Sequence, residues 1–294
     1  MLRTQTVLIA ALLAGSAMHL PAAGFDGERA LKDTATVVGL GPRHPGSEAS
    51  RKTREYIKAQ LKPLGCAMAE DPFTASTPNG PMRMTNLIAR CKGGNSGRAV
   101  VFTGHYDTKI MPGRPFVGAN DGGSSTGFLI ELARQVAARK NRMDVWFVWF
   151  DGEEAIGPWS ETDGVHGSRH LARRWSEDGA LGRIAALINV DMIGDRDLGI
   201  LQEYSSSASL KRLIWSVARD LGYGKHFLNQ VGAVEDDHSP FLRLGVNAID
   251  LIDFDYGPDN AWWHTEGDTM DKLSARSFKV VGDVLLETLR RLEQ

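Results

Sequence analysis

Three acids within four positions, Asp151, Glu153 and Glu154, follow directly on the apolar run "VWFVWF" at 145–150. Such a run, bounded by polar residues, is a buried strand, so the chain carries carboxylates through its core to a strand tip. Successive side chains leaving a strand diverge, which lets one of the Glu153–Glu154 pair hold a cation while its neighbour moves a proton. Other apolar stretches end the same way. "VVFTG" leads to His105 and Asp107, "ALINV" to Asp191, and "AIDLIDF" is followed by "WWHT" with His264, while Asp121 sits in "GANDGG" ahead of a helical segment. Converging carboxylates repel one another and lose hydration, so either a cation is present or some of them protonate. Mixed imidazole and carboxylate donors suit Zn(II), which in catalytic sites keeps a position open. His105, Asp121, Glu154, Asp191 and His264 form the candidate ligand set, enough for two ions bridged by Asp121 or for one ion on three of the five. Asp107 reads as the partner that orients His105. His44, His166, His170 and His238 stand outside the set.

These residues need a scaffold that brings several strand ends together. Residues 26–62 carry helical periodicity in two pieces broken by "GLGPRHPGS", and Ser47 is placed to cap the second. From there strand and helix alternate: "GRAVVFTG", "STGFLIELARQVAARK", "MDVWFVWF", "HLARRWSEDG", "IAALINV", "SASLKRLIWSVARDLG", "NAIDLIDF" and "SARSFKVVGDVLLETLRRL". Strands apolar on both faces, separated by amphipathic helices, predict an α/β three-layer sandwich: one domain with a mostly parallel central sheet and helices on both faces. In such a sheet ligands bind beyond the carboxyl ends of the strands, the edge where the acids and histidines fall.

The bulk numbers fit. With 294 residues, 42% hydrophobic and 24% charged, the chain is composed like an ordinary globular protein. A net charge of -2 provides no field to attract nucleic acid or an acidic membrane surface. Arg3, the apolar run "VLIAALLAGSAM" and the small residues of "PAAG" read as a secretory signal over 1–23, too short to span a bilayer comfortably, leaving 24–294 as the catalytic domain of an exported protein, periplasmic or secreted. Once the signal is gone no membrane contact is expected, and the mature chain is expected to be a monomer. Cys66 and Cys91 lie equally far from a turn at Pro78–Asn79, so a hairpin there makes a cross-strand disulfide plausible; two free buried thiols are the alternative.

"GPRHPGS", "GHYDTK", "GANDGGSSTG", "FDGEEA", "NVDMIGD" and "WWHT" resemble, in order, the motifs of the zinc-dependent aminopeptidase and glutaminyl cyclase family, over essentially the whole mature chain. "GSRHLA" and "EDDHSPFLRLGV" resemble its cyclase branch. That resemblance implies one zinc on Asp121, Glu154 and His264, Glu153 as the free glutamate, and Asp191 and Asp236 as aspartates of the hydrogen-bond network. Lys109, Trp159 and Trp263 fall where cyclases keep a lysine and two pocket tryptophans. The implied reaction closes the N-terminal glutamine of a peptide or protein into pyroglutamate, with Glu153 carrying a proton to the departing ammonia. Three departures bear on the pocket. "GANDGGSSTG" is closer to the aminopeptidase branch, Glu235 stands where animal cyclases have glutamine, and the aromatic residue expected shortly before "WWHT" is missing unless Tyr256 replaces it.

Two other enzymes remain open at this point. An aminopeptidase with two zinc ions would use all five ligands and Glu153 as general base toward water. A serine hydrolase would use Ser125 in "GSSTG", with an acid near Asp253 and His264 following in chain order.

Overall fold

The computed structural model describes residues 24–94 and 97–294. Its elements run α1 (Gly27–Val38), α2 (Glu48–Leu61), β1 (Ala67–Thr77), β2 (Gly80–Cys91), β3 (Ala99–His105), α3 (Gly123–Ala137), β4 (Asp144–Phe150), α4 (His166–Glu177), β5 (Ile184–Asp191), β6 (Ile200–Glu203), α5 (Ala208–Asp220), β7 (Phe227–Gly232), α6 (Ser239–Arg243), β8 (Ala248–Ile252) and α7 (Ala275–Leu292). The main sheet has the order β1-β2-β4-β3-β5-β8. β4, β3, β5 and β8 are parallel, and the β1–β2 hairpin joins β4 antiparallel.

Side-chain alternation explains why β4 is apolar throughout. Val145, Phe147 and Trp149 face one layer with Phe128 of α3, Ile214 of α5 and Val281 of α7. Trp146, Val148 and Phe150 face the other with Leu171 and Trp175 of α4 and Phe241 of α6. Both faces are covered, so a polar residue anywhere inside the strand would be stranded without water. Polarity is deferred to the strand ends, and this deferral places the site.

Ser47 caps α2 as its position in the sequence suggests, accepting the N–H of Ser50 at 3.0 Å. The expected signal at 1–23 lies outside the described residues. A separate parallel pair, β6 and β7, was not expected from the sequence: two stretches of four and six residues give too short a pattern to read.

The hairpin settles the cysteines. Ala67 pairs with Arg90, so Cys66 and Cys91 meet at its open end and form a disulfide with Cα atoms 4.3 Å apart. Closing a loop of 25 residues constrains the unfolded chain by about 3 kcal/mol in the chain-entropy model. Reduction, or Cys66→Ala with Cys91→Ala, is therefore expected to lower the urea midpoint by a corresponding amount. Thiol counting in unfolded, unreduced protein should find none.

Candidate metal centre and active site

The five candidate ligands converge. His105 and Asp191 are the last residues of β3 and β5, and Glu153 and Glu154 follow β4 after Asp151 and Gly152. Asp121 closes the loop before α3, and His264 lies in the loop after β8. His105 Nε2 is 3.2 Å from both Asp121 Oδ1 and Asp191 Oδ1, and His264 Nε2 is 3.2 Å from both Asp121 Oδ2 and Glu154 Oε1. Two triads result, His105–Asp121–Asp191 and Asp121–Glu154–His264, each with donor atoms within 4.8 Å of one another and with Asp121 in common. None of His44, His166, His170 and His238 joins either triad; the last three face Asp163, Asp71 and Glu203 instead.

The supporting contacts act mostly on backbone. Asp107 stands 3.4 Å from His105 Nδ1, near enough to orient that ring, and its carboxylate also accepts the N–H groups of Glu153 at 3.1 Å and Glu154 at 3.3 Å. One side chain thus fixes a histidine and the glutamate pair together. Asp268, not expected from the sequence, accepts the N–H groups of Asn120 and Asp121 at 2.7 and 3.1 Å, and Tyr256 donates its hydroxyl to Asp268 at 2.8 Å. Fully buried Arg43 donates to the carbonyls of Tyr106, Val117 and Gly118, tying the end of β3 to the Asp121 loop. At Gly122, with φ +74, a Cβ would lie 2.4 Å from Asp107 O and 3.1 Å from His105 Cε1, so only glycine lets the loop pass. Three non-glycine residues with positive φ adjoin the ligands or are one: Val165 (42), whose N–H bonds Glu153 O, Met192 (50) and His264 (51). Such conformations persist only where surrounding contacts over-determine them.

Electrostatics argue for a cation. Burial pushes Glu153 well above the ordinary carboxylate range and raises Glu154, with neighbouring carboxylates adding in each case. Burial also takes Asp191 up to about 7, with His105 opposing and Asp236 and Asp121 adding. His264, which burial would lower, is held up to about 10 by Glu154 and Asp121. Left to themselves, these carboxylates must hold protons; a divalent ion removes that need. The donor geometry agrees. His264 Nε2 lies 3.2 Å from both Asp121 Oδ2 and Glu154 Oε1, so one imidazole nitrogen and two carboxylates face a common point where a cation would sit. Carboxylate and imidazole donors of this kind fit zinc.

A cavity of about 380 Å³ opens over the Asp121–Glu154–His264 triad. Glu153, Asp191, Asp236, Lys109, Trp159 and Trp263 all line it with the triad, and of the residues singled out for the site only His105 lies behind its wall, on Asp121 and Asp191. Lys109 Nζ is 3.6 Å from Glu154 Oε2, and Trp263 stacks on the His264 ring with centroids 4.1 Å apart. Trp159 stands at the mouth, 46% exposed. Tyr256 does not supply the missing aromatic residue: it is buried on Asp268. Phe254 lines the cavity instead, packed on Trp263 at 5.0 Å. Asp236 is buried; its Oδ1 accepts the N–H of Asp237 and its backbone carbonyl that of Ser239 in the turn before α6, while Oδ2 is unpartnered and free to face the cavity. One oxygen thus serves the turn and the other is left for the site.

The serine-hydrolase reading fails. Ser125 is buried in the first turn of α3, its hydroxyl donating to the carbonyls of His105 and Gly122. No imidazole accepts from it among the described residues, and Asp253 accepts the N–H of Gly199 at 2.8 Å.

Comparisons with known proteins agree. The chain is 31% identical to the glutaminyl-peptide cyclotransferase of Drosophila melanogaster over 255 residues, 78% of this chain and 71% of that one. Its structure superposes on that of Acidobacteriales bacterium glutaminyl cyclase with a TM-score of 0.89 at 38% identity, covering 99% of both chains. It also superposes on a Zn-dependent exopeptidase from Parabacteroides distasonis with a TM-score of 0.81 at 26% identity, covering 90% of this chain and 98% of that one. The profile of peptidase family M28 matches residues 86–289, and with the strand-end ligands inside that span the chain belongs to peptidase family M28.

Proposed function

We propose that the chain is a zinc-dependent glutaminyl-peptide cyclotransferase acting on the N-terminal glutamine of peptides and proteins. The observation that carries this reading is the pairing of two carboxylates outside the metal triad, Glu153 and buried Asp236, under one apolar roof of Trp159, Trp263 and Phe254. Asp121, Glu154 and His264 would hold the ion. Zinc bound there supplies Lewis-acid polarisation of the substrate's side-chain amide carbonyl. Asp236 Oδ2 accepts an N–H of the α-amine and holds the nitrogen near the amide carbon. As the new C–N bond forms and the C–NH2 bond breaks, Glu153 takes one proton from the amine and delivers it to the leaving group, which departs as ammonia. The tryptophans and Phe254 keep out water, which would otherwise hydrolyse the amide.

The runner-up is an aminopeptidase, favoured by one specific observation: His105, Asp121 and Asp191 form a second donor set sharing Asp121. The metal-to-protein ratio of purified enzyme gives the ion count, for which the cyclase reading assigns one. Mass spectrometry of a Gln-initiated peptide after incubation separates the chemistries: loss of ammonia supports cyclisation, and release of the first residue refutes it. Asp236→Asn is expected to lower turnover at least about tenfold, ~1.4 kcal/mol of barrier, with zinc content and melting temperature little changed. A drop in stability with activity per folded molecule intact would return Asp236 to a structural role.

Residues 1–23 are assigned as a secretory signal and 24–294 as one catalytic domain in a periplasmic or secreted protein. The Cys66–Cys91 disulfide supports an oxidising destination, and among the described residues no helix is long and apolar enough to cross a membrane. A monomer is sufficient for this chemistry, because a single chain supplies the whole cavity lining.

A further inference from the structure

Past Trp159 the catalytic cavity adjoins a second hollow of about 730 Å³ between α4 and α6, and Trp159 and Glu235 line both. Arg169 and Arg173, one turn apart on α4, and Arg243 of α6 line the second hollow together with Glu161. Glu235 already pairs with Arg243 at 2.8 Å, and Glu161 is exposed. Arg169 and Arg173 form no ion pair among the described residues, whereas Arg174 of the same helix is paired with Asp71. Two cations at i and i+4 with no acid between them repel and destabilise a helix. Arg169 is also half-buried, where desolvation and nearby Arg243 disfavour its charge and Glu235, Asp163 and Asp237 offset this only in part. An anion arriving from outside relieves both costs. A guanidinium fork suits a carboxylate in particular.

We infer that this hollow receives the residues downstream of the N-terminal glutamine, and that Arg169 and Arg173 favour substrates carrying carboxylate side chains there, an assignment that rests on the cyclisation reading above. Continuity across Trp159 supplies the path, since the indole and Glu235 line both hollows and a peptide anchored by its first residue can leave the catalytic cavity along them. The guanidinium groups of Arg169 and Arg173, which have no direct ion-pair partner among the described residues, supply the selection.

Four substrates test it: the dipeptide Gln-Ala, too short to cross Trp159, and Gln-Ala extended by three glutamates, three serines or three lysines. At low ionic strength wild type is expected to show kcat/KM about tenfold higher for the glutamate peptide than for the lysine peptide, mainly through KM, and about 0.5 M salt should shrink the ratio. Arg169→Gln with Arg173→Gln should abolish the preference while leaving Gln-Ala turnover unchanged, which also certifies that the variant folds. The exposed single variant Arg173→Gln should reduce the preference by part of that amount. If Gln-Ala itself is not cyclised by wild type, the function proposed above is wrong. If Gln-Ala is cyclised but wild type treats the three extended peptides alike, or if the preference survives in the double variant, the hollow is not a subsite.

Discussion

Glu153→Gln is expected to keep its zinc and lose at least about a hundredfold in kcat on a Gln-initiated peptide, the usual scale for removing a general acid-base group. The substitution is nearly isosteric. It leaves the backbone N–H of residue 153 on Asp107, so Glu154 stays in place. Glu153 lines the cavity and belongs to neither donor triad, whereas Glu154 faces His264 at 3.2 Å, so the adjacent glutamates should separate in experiment. Metal analysis beside single-turnover kinetics makes the comparison. Near wild-type turnover in a zinc-loaded variant would sink the proton-transfer role.

The second large effect is on the metal itself. Glu154→Ala or His264→Ala should lose bound zinc and with it measurable turnover, because each removes one donor of a three-residue set. Stability should follow. An ion present at a hundred times its Kd stabilises the fold by about 2.7 kcal/mol, so either variant, and chelated wild type, should melt below the loaded enzyme.

The pH dependence of the chelated protein has a definite sign. Asp191 sits at about 7 in the fold, mainly through burial, against about 3.9 in the unfolded chain. The native state therefore holds the extra proton, and that contribution to stability is full below about pH 4 and lost as pH rises through about 7. Chelated protein should melt at a lower temperature at pH 7.5 than at pH 5.5. The loaded protein should not follow this trend, since metal binding strengthens as its ligands deprotonate. A chelated melting temperature that rose with pH over this range would contradict the crowding of carboxylates as the reason for the cation.

Much of this was legible in the sequence, for a simple reason. A strand buried on both faces carries polar side chains only where they pair with one another, as Thr103, Asn189 and Asp250 do across β3, β5 and β8, so the acids and histidines of β3, β4 and β5 that meet a ligand sit at the ends, where a linear reading finds them. The hairpin and its disulfide were legible through symmetry about a Pro-Asn turn. Residues that serve the backbone were not. Asp268 and Arg43 act by accepting from amides or donating to carbonyls of the Asp121 loop, and an acid in "EGDTM" or an arginine in "GPRHP" looks like any solvated charge. Asp107 was read for half of its work, because its second pair of contacts reaches backbone atoms 46 and 47 residues away. The aromatic residue before "WWHT" looked missing unless Tyr256 took its place, and Phe254, which a continuing strand would put on the same face, lines the cavity instead. β8 ends at Ile252, however, and the chain turns at Gly257, with φ +77. The hollow beyond Trp159 had no sequence signature, since its arginines are spread over two helices.

The ligands are drawn from positions 105, 121, 154, 191 and 264, each delivered by a different strand end or loop, and no short fragment holds a triad. The metal site therefore cannot assemble locally in a nascent chain; it exists only after the parallel strands have found their register, the slow, non-local step of this topology. Zinc in this protein cannot template folding as it does in a small finger. Bound to this site it is expected to act as a latch on a finished structure, slowing unfolding while leaving the folding rate unchanged, and retained metal would then report that the whole sheet has closed.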